Sequence, residues 1–141
     1  MNKIAIRLCG GTILGALFGL LCFYGFTNNP HLDSSVQIYA TWSFSNLIMW
    51  DLIANRSAIG FVVGLMGFIT IHPLFGFKLP SFLRGFVIGS FISLTLAIGA
   101  AMGGNNEPIK TFWILTITGG IIGLIIDVIL TKIAGQGADL K

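Results

Sequence analysis

The chain has 141 residues and a mass of 15.1 kDa, yet only 9% of it is charged, against roughly 25% in an ordinary soluble domain. With 55% hydrophobic residues, 19 glycines and a mean hydropathy of +0.91, it lacks the makings of a water-facing surface, and lipid is the solvent that fits it. The net charge of +3 comes from eight basic residues scattered near segment ends, so it reads as membrane orientation, and no nucleic-acid partner is expected.

A span needs about 20 apolar residues rising 1.5 Å each. The first predicted span covers residues 4–26 and stops at Asn28, Asn29 and Pro30. Lys3 and Arg7 ahead of a leucine- and glycine-rich run look like the start of a signal peptide. No small-x-small cleavage site follows, so the segment is expected to remain as a transmembrane helix. Cys9 and Cys22 both lie inside it, and one helix can assemble neither a disulfide nor a zinc site from them; no metal or other cofactor is expected.

Residues 36–46 mix Gln37, Thr41, Ser43, Ser45 and Asn46 with Ile38, Tyr39, Trp42 and Phe44. They read equally well as an interfacial helix in an outer loop, 28–46, or as an extension of the next span into the headgroups. That second span is plain over residues 57–71 and extends back to Leu47 to reach membrane-crossing length, ending at His72 and Pro73. The connection Leu74-Phe75-Gly76-Phe77-Lys78-Leu79 is apolar for a loop and reads as an interfacial turn. The third span covers 82–102, between Pro80 and Gly103-Gly104-Asn105-Asn106, and the fourth covers 111–133, closed by Gly135 and Gly137.

The fold class implied is an all-α membrane protein, an antiparallel bundle of four transmembrane helices forming a single domain over 1–141. With both termini cytoplasmic, Lys3, Arg7, Lys78, Arg84, Lys132 and Lys141 lie inside and only Arg56 and Lys110 outside. Trp42, Trp50 and Trp113 then gather toward the outer face with Tyr24 and Tyr39, as an interfacial belt requires. The plasma (inner) membrane is the expected location.

Lipid gives helices little hydrophobic reason to associate, so close backbone approach through small residues must supply much of the packing. Gly11, Gly15 and Gly19 recur every four residues in the first span, Gly60 and Gly64 in the second, Gly119 and Gly123 in the fourth. Gly85, Gly89, Ser93, Ala97 and Ala101 form a stripe along the third. These flat faces can close the bundle on itself or meet another copy or another membrane protein. A two-plus-two internal repeat is faintly visible, because Arg7 and Asn28-Asn29 recur at the offset of Arg84 and Asn105-Asn106 and Gly60-x-x-x-Gly64-Leu65 is echoed by Gly119-x-x-x-Gly123-Leu124, but the glycines of the first and third spans are out of register.

Ionisable groups inside a membrane must face protein or water. Asp127 falls four residues after Gly123, on the packing stripe, and roughly 9 Å from the end of its span. Arg7 precedes Gly11 by four and shares that depth, so a buried contact of Asp127 with Arg7 is predicted, with Arg84 as the alternative partner. The competing reading has Asp127 changing protonation to move a proton or hold a cation. Arg56, four residues before Gly60, points toward the outer surface, where Asp51, Asn55 and Asn46 would either line a vestibule or serve as local partners of a snorkelling arginine. His31 and His72 lie on opposite sides and build no metal site.

No phosphate loop, dinucleotide fingerprint or zinc helix is present, and Asp51 and Asp127 fall in opposite membrane halves, so no catalytic residues are assigned and no enzyme is expected. The leading expectation is a small membrane subunit or scaffold assembling through its small-residue faces, as a homo-oligomer or with a membrane-protein partner. The alternative is a channel or transporter for a small ion or solute using Asp127 with Arg7 or Arg84. A lipid-binding protein using Arg56 and the interfacial aromatics is a third class.

Overall fold

A computed structural model describes residues 2–30, 37–71, 76–103 and 107–140, and among these the chain is all-helical apart from turns and one isolated β-bridge. Four helices are long and apolar enough to cross a membrane: α1 (Lys3–Thr27), α2 (Leu47–Met66), α3 (Ser81–Met102) and α4 (Pro108–Ala134), followed by a short 3-10 helix, Gly137–Leu140. This is the architecture of a small multi-pass membrane protein. His31, Asp33, Val36, His72, Pro73, Leu74, Phe75, Gly104, Asn105 and Asn106 lie outside the described residues, as does Lys141.

Local chemistry sets the helix ends. Asn2 caps α1 by accepting from the Ile4 amide, and Asn46 caps α2 by accepting from the Ile48 and Met49 amides. The Asn46 amide group also donates to the carbonyls of Tyr39 and Thr41, at 2.6 and 2.8 Å. With the cap in place, α2 starts at Leu47 and does not extend backwards, and residues 38–46 are turn and irregular chain, not helix. Pro108, whose missing N–H costs nothing at a helix start, opens α4 three residues earlier than the predicted 111.

The far end of α2 departs from the expectation by more. The helix stops at Met66, not at residue 71. Two carbonyls of its last turn have an outside partner, Arg7 Nε donating to that of Gly64 at 3.2 Å and Arg7 Nη2 approaching that of Val63 at 3.5 Å, while those of Leu65 and Met66 accept from the Phe68 and Ile69 amides three residues on. The chain then turns away: Gly67 accepts from the Gly137 amide at 2.9 Å, and Thr70 accepts from the Leu79 amide at 2.8 Å beside the Ile71–Lys78 bridge. Hydrophobicity runs on to Ile71, but the last carbonyls are satisfied by amides three residues on and by the Arg7 guanidinium, and the helix does not continue.

The helices meet backbone to backbone. A Cβ on Gly11 would collide with the Gly60 carbonyl, one on Gly15 with the Arg56 carbonyl, one on Gly19 with the Ile53 backbone, and one on Gly64 with the Arg7 carbonyl. Between α3 and α4 the same holds for Gly85 against Gly123 and for Gly89 against Gly119. Ile59, Val63, Ile122, Ile126 and Leu130 fill the space between the two pairs, and Phe23, Met49 and Leu52 form a second cluster toward the other end.

These contacts reveal a repeat one residue away from the register visible in the sequence. Gly11, Gly15 and Gly19 correspond to Gly89, Ser93 and Ala97 at an offset of 78, while Gly60 and Gly64 correspond to Gly119 and Gly123 at an offset of 59. Gly11 meets Gly60 as Gly89 meets Gly119, and Arg7 meets Gly64 as Gly85 meets Gly123. The arginine pair that suggested an offset of 77 stands one residue off this packing register, since the structural counterpart of Arg7 is Gly85 and not Arg84.

Candidate functional site

Arg7, Arg84 and Asp127 are fully buried at one end of the bundle. Arg7 Nη2 donates to Asp127 Oδ1 at 2.6 Å. Arg84 grips the same carboxylate with two prongs, Nε to Oδ2 at 2.7 Å and Nη2 to Oδ1 at 2.8 Å. The sequence posed the two arginines as alternatives; the carboxylate takes both, because each stands on the inward stripe of its helix at the depth of Asp127.

The rest of the cluster is equally well supplied. Arg7 Nη1 donates to the Gly135 carbonyl at 2.7 Å and to Thr131 Oγ1 at 3.3 Å, and Thr131 in turn donates to Asp127 Oδ1 at 3.4 Å. Arg84 Nη1 donates to the Ile69 carbonyl at 2.7 Å, and Nη2 reaches Gln136 Oε1 at 3.2 Å. Every guanidinium nitrogen has an acceptor, and the contacts join all four helices to the segments after α2 and α4. Gly135, at φ +81°, provides the left-handed turn that swings its carbonyl toward Arg7. Thr131 and Gln136 were not singled out from the sequence, although Thr131 stands four residues after Asp127 on the same face.

Arg56 overturns its expectation. It is fully buried, not snorkelling, and its proposed partner Asp51 is exposed and makes no salt bridge with it. It is the tenth of the 20 residues of α2, and its backbone meets Gly15, the thirteenth of 25 in α1. Its side chain therefore lies halfway along the helices. Nη1 donates to Asn55 Oδ1 at 2.8 Å and to Ser93 Oγ at 2.5 Å, while the Asn55 amide group donates to the Ile92 carbonyl at 3.2 Å. Among the described residues no carboxylate lies within 4.0 Å of this guanidinium, and Nε and Nη2 have no hydrogen-bond partner. Of the outer polar set, Asn55 joins Arg56, Asn46 serves as a helix cap, and Asp51 takes no part.

One more buried polar atom is without a partner, Thr116 Oγ1. Thr116 lies one helical turn from Gly119, the residue against which Ser93 packs. Neither hydroxyl stood out in the sequence; Ser93 registered only as a small residue and Thr116 not at all. The signal that points to Thr116 is its place three residues before Gly119, on the inward stripe of α4.

At the opposite end from the Asp127 cluster, Trp42 packs edge-on against Phe23 with centroids 4.8 Å apart, and Trp50 donates its indole N–H to the Phe44 carbonyl at 2.8 Å. Comparison of the chain with protein-family models, with curated proteins and with solved structures finds no match.

Proposed function

We propose that the chain is a non-enzymatic integral membrane protein, an antiparallel bundle of four spans with both termini on the cytoplasmic side of the plasma (inner) membrane, and that it is a channel or transporter for a small ion or solute. The order of the glycine contacts supports the antiparallel arrangement, since rising numbers in α1 meet falling numbers in α2, and likewise in α3 and α4. Large apolar side chains such as Phe91, Val87, Ile13 and Leu21 point outward, as a lipid environment requires. With Arg56 inside the bundle, Lys110 remains as the basic residue at the tryptophan end, which sharpens the charge bias toward cytoplasmic termini.

The observation that carries the functional reading is the interior charge. Among the described residues the buried charged groups are Arg7, Arg56, Arg84 and Asp127, so three cations face one anion and two positive charges remain. A bundle that had only to hold itself together would gain nothing from an uncompensated charge, which costs several kcal/mol to bury. The scaffold reading is weakened by the glycines, because Gly11, Gly15, Gly19, Gly60, Gly64, Gly85, Gly89, Gly119 and Gly123 are all taken up within the chain. A second copy or another membrane protein would dock on the outward apolar side chains instead. The lipid-binding reading loses its anchor, since Arg56 does not reach a headgroup.

The subunit reading retains one point in its favour: the Arg7–Asp127–Arg84 cluster is fully satisfied, as in a purely structural lock. Reconstitution separates the two. Purified protein in liposomes should carry a small ion above the leak of empty vesicles, and the absence of flux for protons, alkali cations and small anions across a range of pH would leave the subunit reading in place.

A further inference from the structure

We propose that Arg56 holds a small monovalent anion of the halide or formate class at the midpoint of the bundle, on the guanidinium edge formed by Nε and Nη2. The inference rests on the ion-handling reading and names its ligand.

Three arginines are buried in the interior, and they differ in one respect. Arg84 presents Nε and Nη2 to the two oxygens of Asp127. Arg7 fills the same two nitrogens with the Gly64 carbonyl and Asp127 Oδ1. Arg56 leaves both empty, with neither atom exposed. The unfilled edge is therefore the two-pronged donor that Arg84 uses for a carboxylate, presented without a carboxylate. A guanidinium cannot shed its proton to escape this position. Held in a low-dielectric interior, it attracts an anion far more strongly than at a surface.

The surroundings are those of a donor site. Ser93 accepts from Arg56 Nη1, which leaves its own hydroxyl hydrogen free to donate. Asn55 accepts from the same nitrogen and is tethered through its amide to the Ile92 carbonyl, so the guanidinium is held on one side while Nε and Nη2 on the other have no acceptor. Thr116, about 4.5 Å along α4 from Gly119, brings a second hydroxyl, this one unpartnered, to the neighbouring turn. The site lies at the level of Gly15 and Ser93, the pair related by the internal repeat. Midplane sites at the junction of repeated halves are where membrane transport proteins gather their ligands.

The position also limits the ligand. One uncompensated positive charge calls for one negative charge, and the close glycine contacts at Gly15 and Gly119 on either side hold the helices too near each other for a bulky ligand. Chloride, nitrate and formate meet both conditions; gluconate, a bulky carboxylate, does not.

The test uses the full chain in nanodiscs, exchanged into sodium gluconate and titrated with sodium chloride, nitrate or formate at constant ionic strength, with the thermal unfolding midpoint as readout. The wild type should show a saturable rise of roughly 3 °C. Arg56→Gln should lose that rise while unfolding at a midpoint in gluconate no lower than the wild type, because it removes an unpaired buried charge. Arg56→Lys keeps the charge without the two-pronged edge and should weaken the response roughly tenfold. Lys110→Gln, at the exposed end, should behave as wild type. No rise in the wild type, or one that persists undiminished in Arg56→Gln or Arg56→Lys, overturns the proposal. Saturable binding without liposome flux would leave this site standing and remove the transport reading; flux unchanged in Arg56→Gln would do the reverse.

Discussion

Arg84 holds Asp127 by both carboxylate oxygens, while Arg7 reaches the same carboxylate from the other side through a single nitrogen. The two contacts come from helices that do not otherwise share a glycine seam, so Asp127 ties the first helical pair to the second. Two cations on one anion also make the carboxylate the member of the cluster whose loss does most harm.

Replacing Asp127 with asparagine should therefore destabilise the protein by about 3–5 kcal/mol, since two buried guanidiniums lose their counter-charge together. Arg84→Gln should cost less, because Asp127 keeps Arg7. Urea unfolding in mild detergent, followed by tryptophan fluorescence, measures the order, and an Asp127→Asn protein as stable as wild type would show that the carboxylate is not the keystone.

Adding bulk at the helix seams should separate the helices. In Gly15→Leu the side chain meets the Arg56 backbone, and in Gly89→Leu it meets that of Gly119, neither of which can move aside. Each should cost at least about 1–3 kcal/mol. Gly25 has nothing within 4 Å of its missing Cβ, so Gly25→Ala should be neutral or stabilising by up to about 1 kcal/mol. The loss for Gly15 and Gly89 should appear in the folding of the single chain; loss of an oligomer with the monomer still folded would mean that the stripes serve assembly.

Asn46 caps α2 and holds the preceding loop through Tyr39 and Thr41 at once. Asn46→Ala should cost about 1–2 kcal/mol and raise amide exchange over residues 37–50 while leaving α4 protected. Unchanged exchange in that loop would show that other contacts order it.

Orientation is open to direct labelling. In a variant lacking Cys9 and Cys22, a cysteine at Lys110 should react with an impermeant maleimide on intact cells, and one at Asp139 only after permeabilisation. Labelling of both positions from outside would overturn the cytoplasmic assignment of the carboxyl end.

Much of this was legible in the sequence because small-residue spacing reports the face of a helix. Four-residue steps from Gly11 to Arg7 and from Gly123 to Asp127 were enough to turn the two side chains inward at one depth. Depth failed where helix length failed. Residues 67–71 stay largely apolar after the helix has ended in a tighter turn that Arg7 caps at Gly64, and a helix read as five residues too long pushed Arg56 from the middle toward one surface. One anchor of the repeat, Gly60 and Gly64 echoed by Gly119 and Gly123, was legible, while the other was placed one residue off by pairing Arg7 with Arg84, whose place in the contacts is taken by Gly85.

The distance in sequence between Arg7 and Asp127, 120 residues, bears on how the protein is made. As the ribosome delivers the chain, the first and third helices enter the bilayer with their arginines still awaiting a counter-charge, and the acid arrives only in the final helix. A product cut short before that helix would leave Arg7 and Arg84 in the bilayer without the acid that neutralises them, at a cost of a few kcal/mol each.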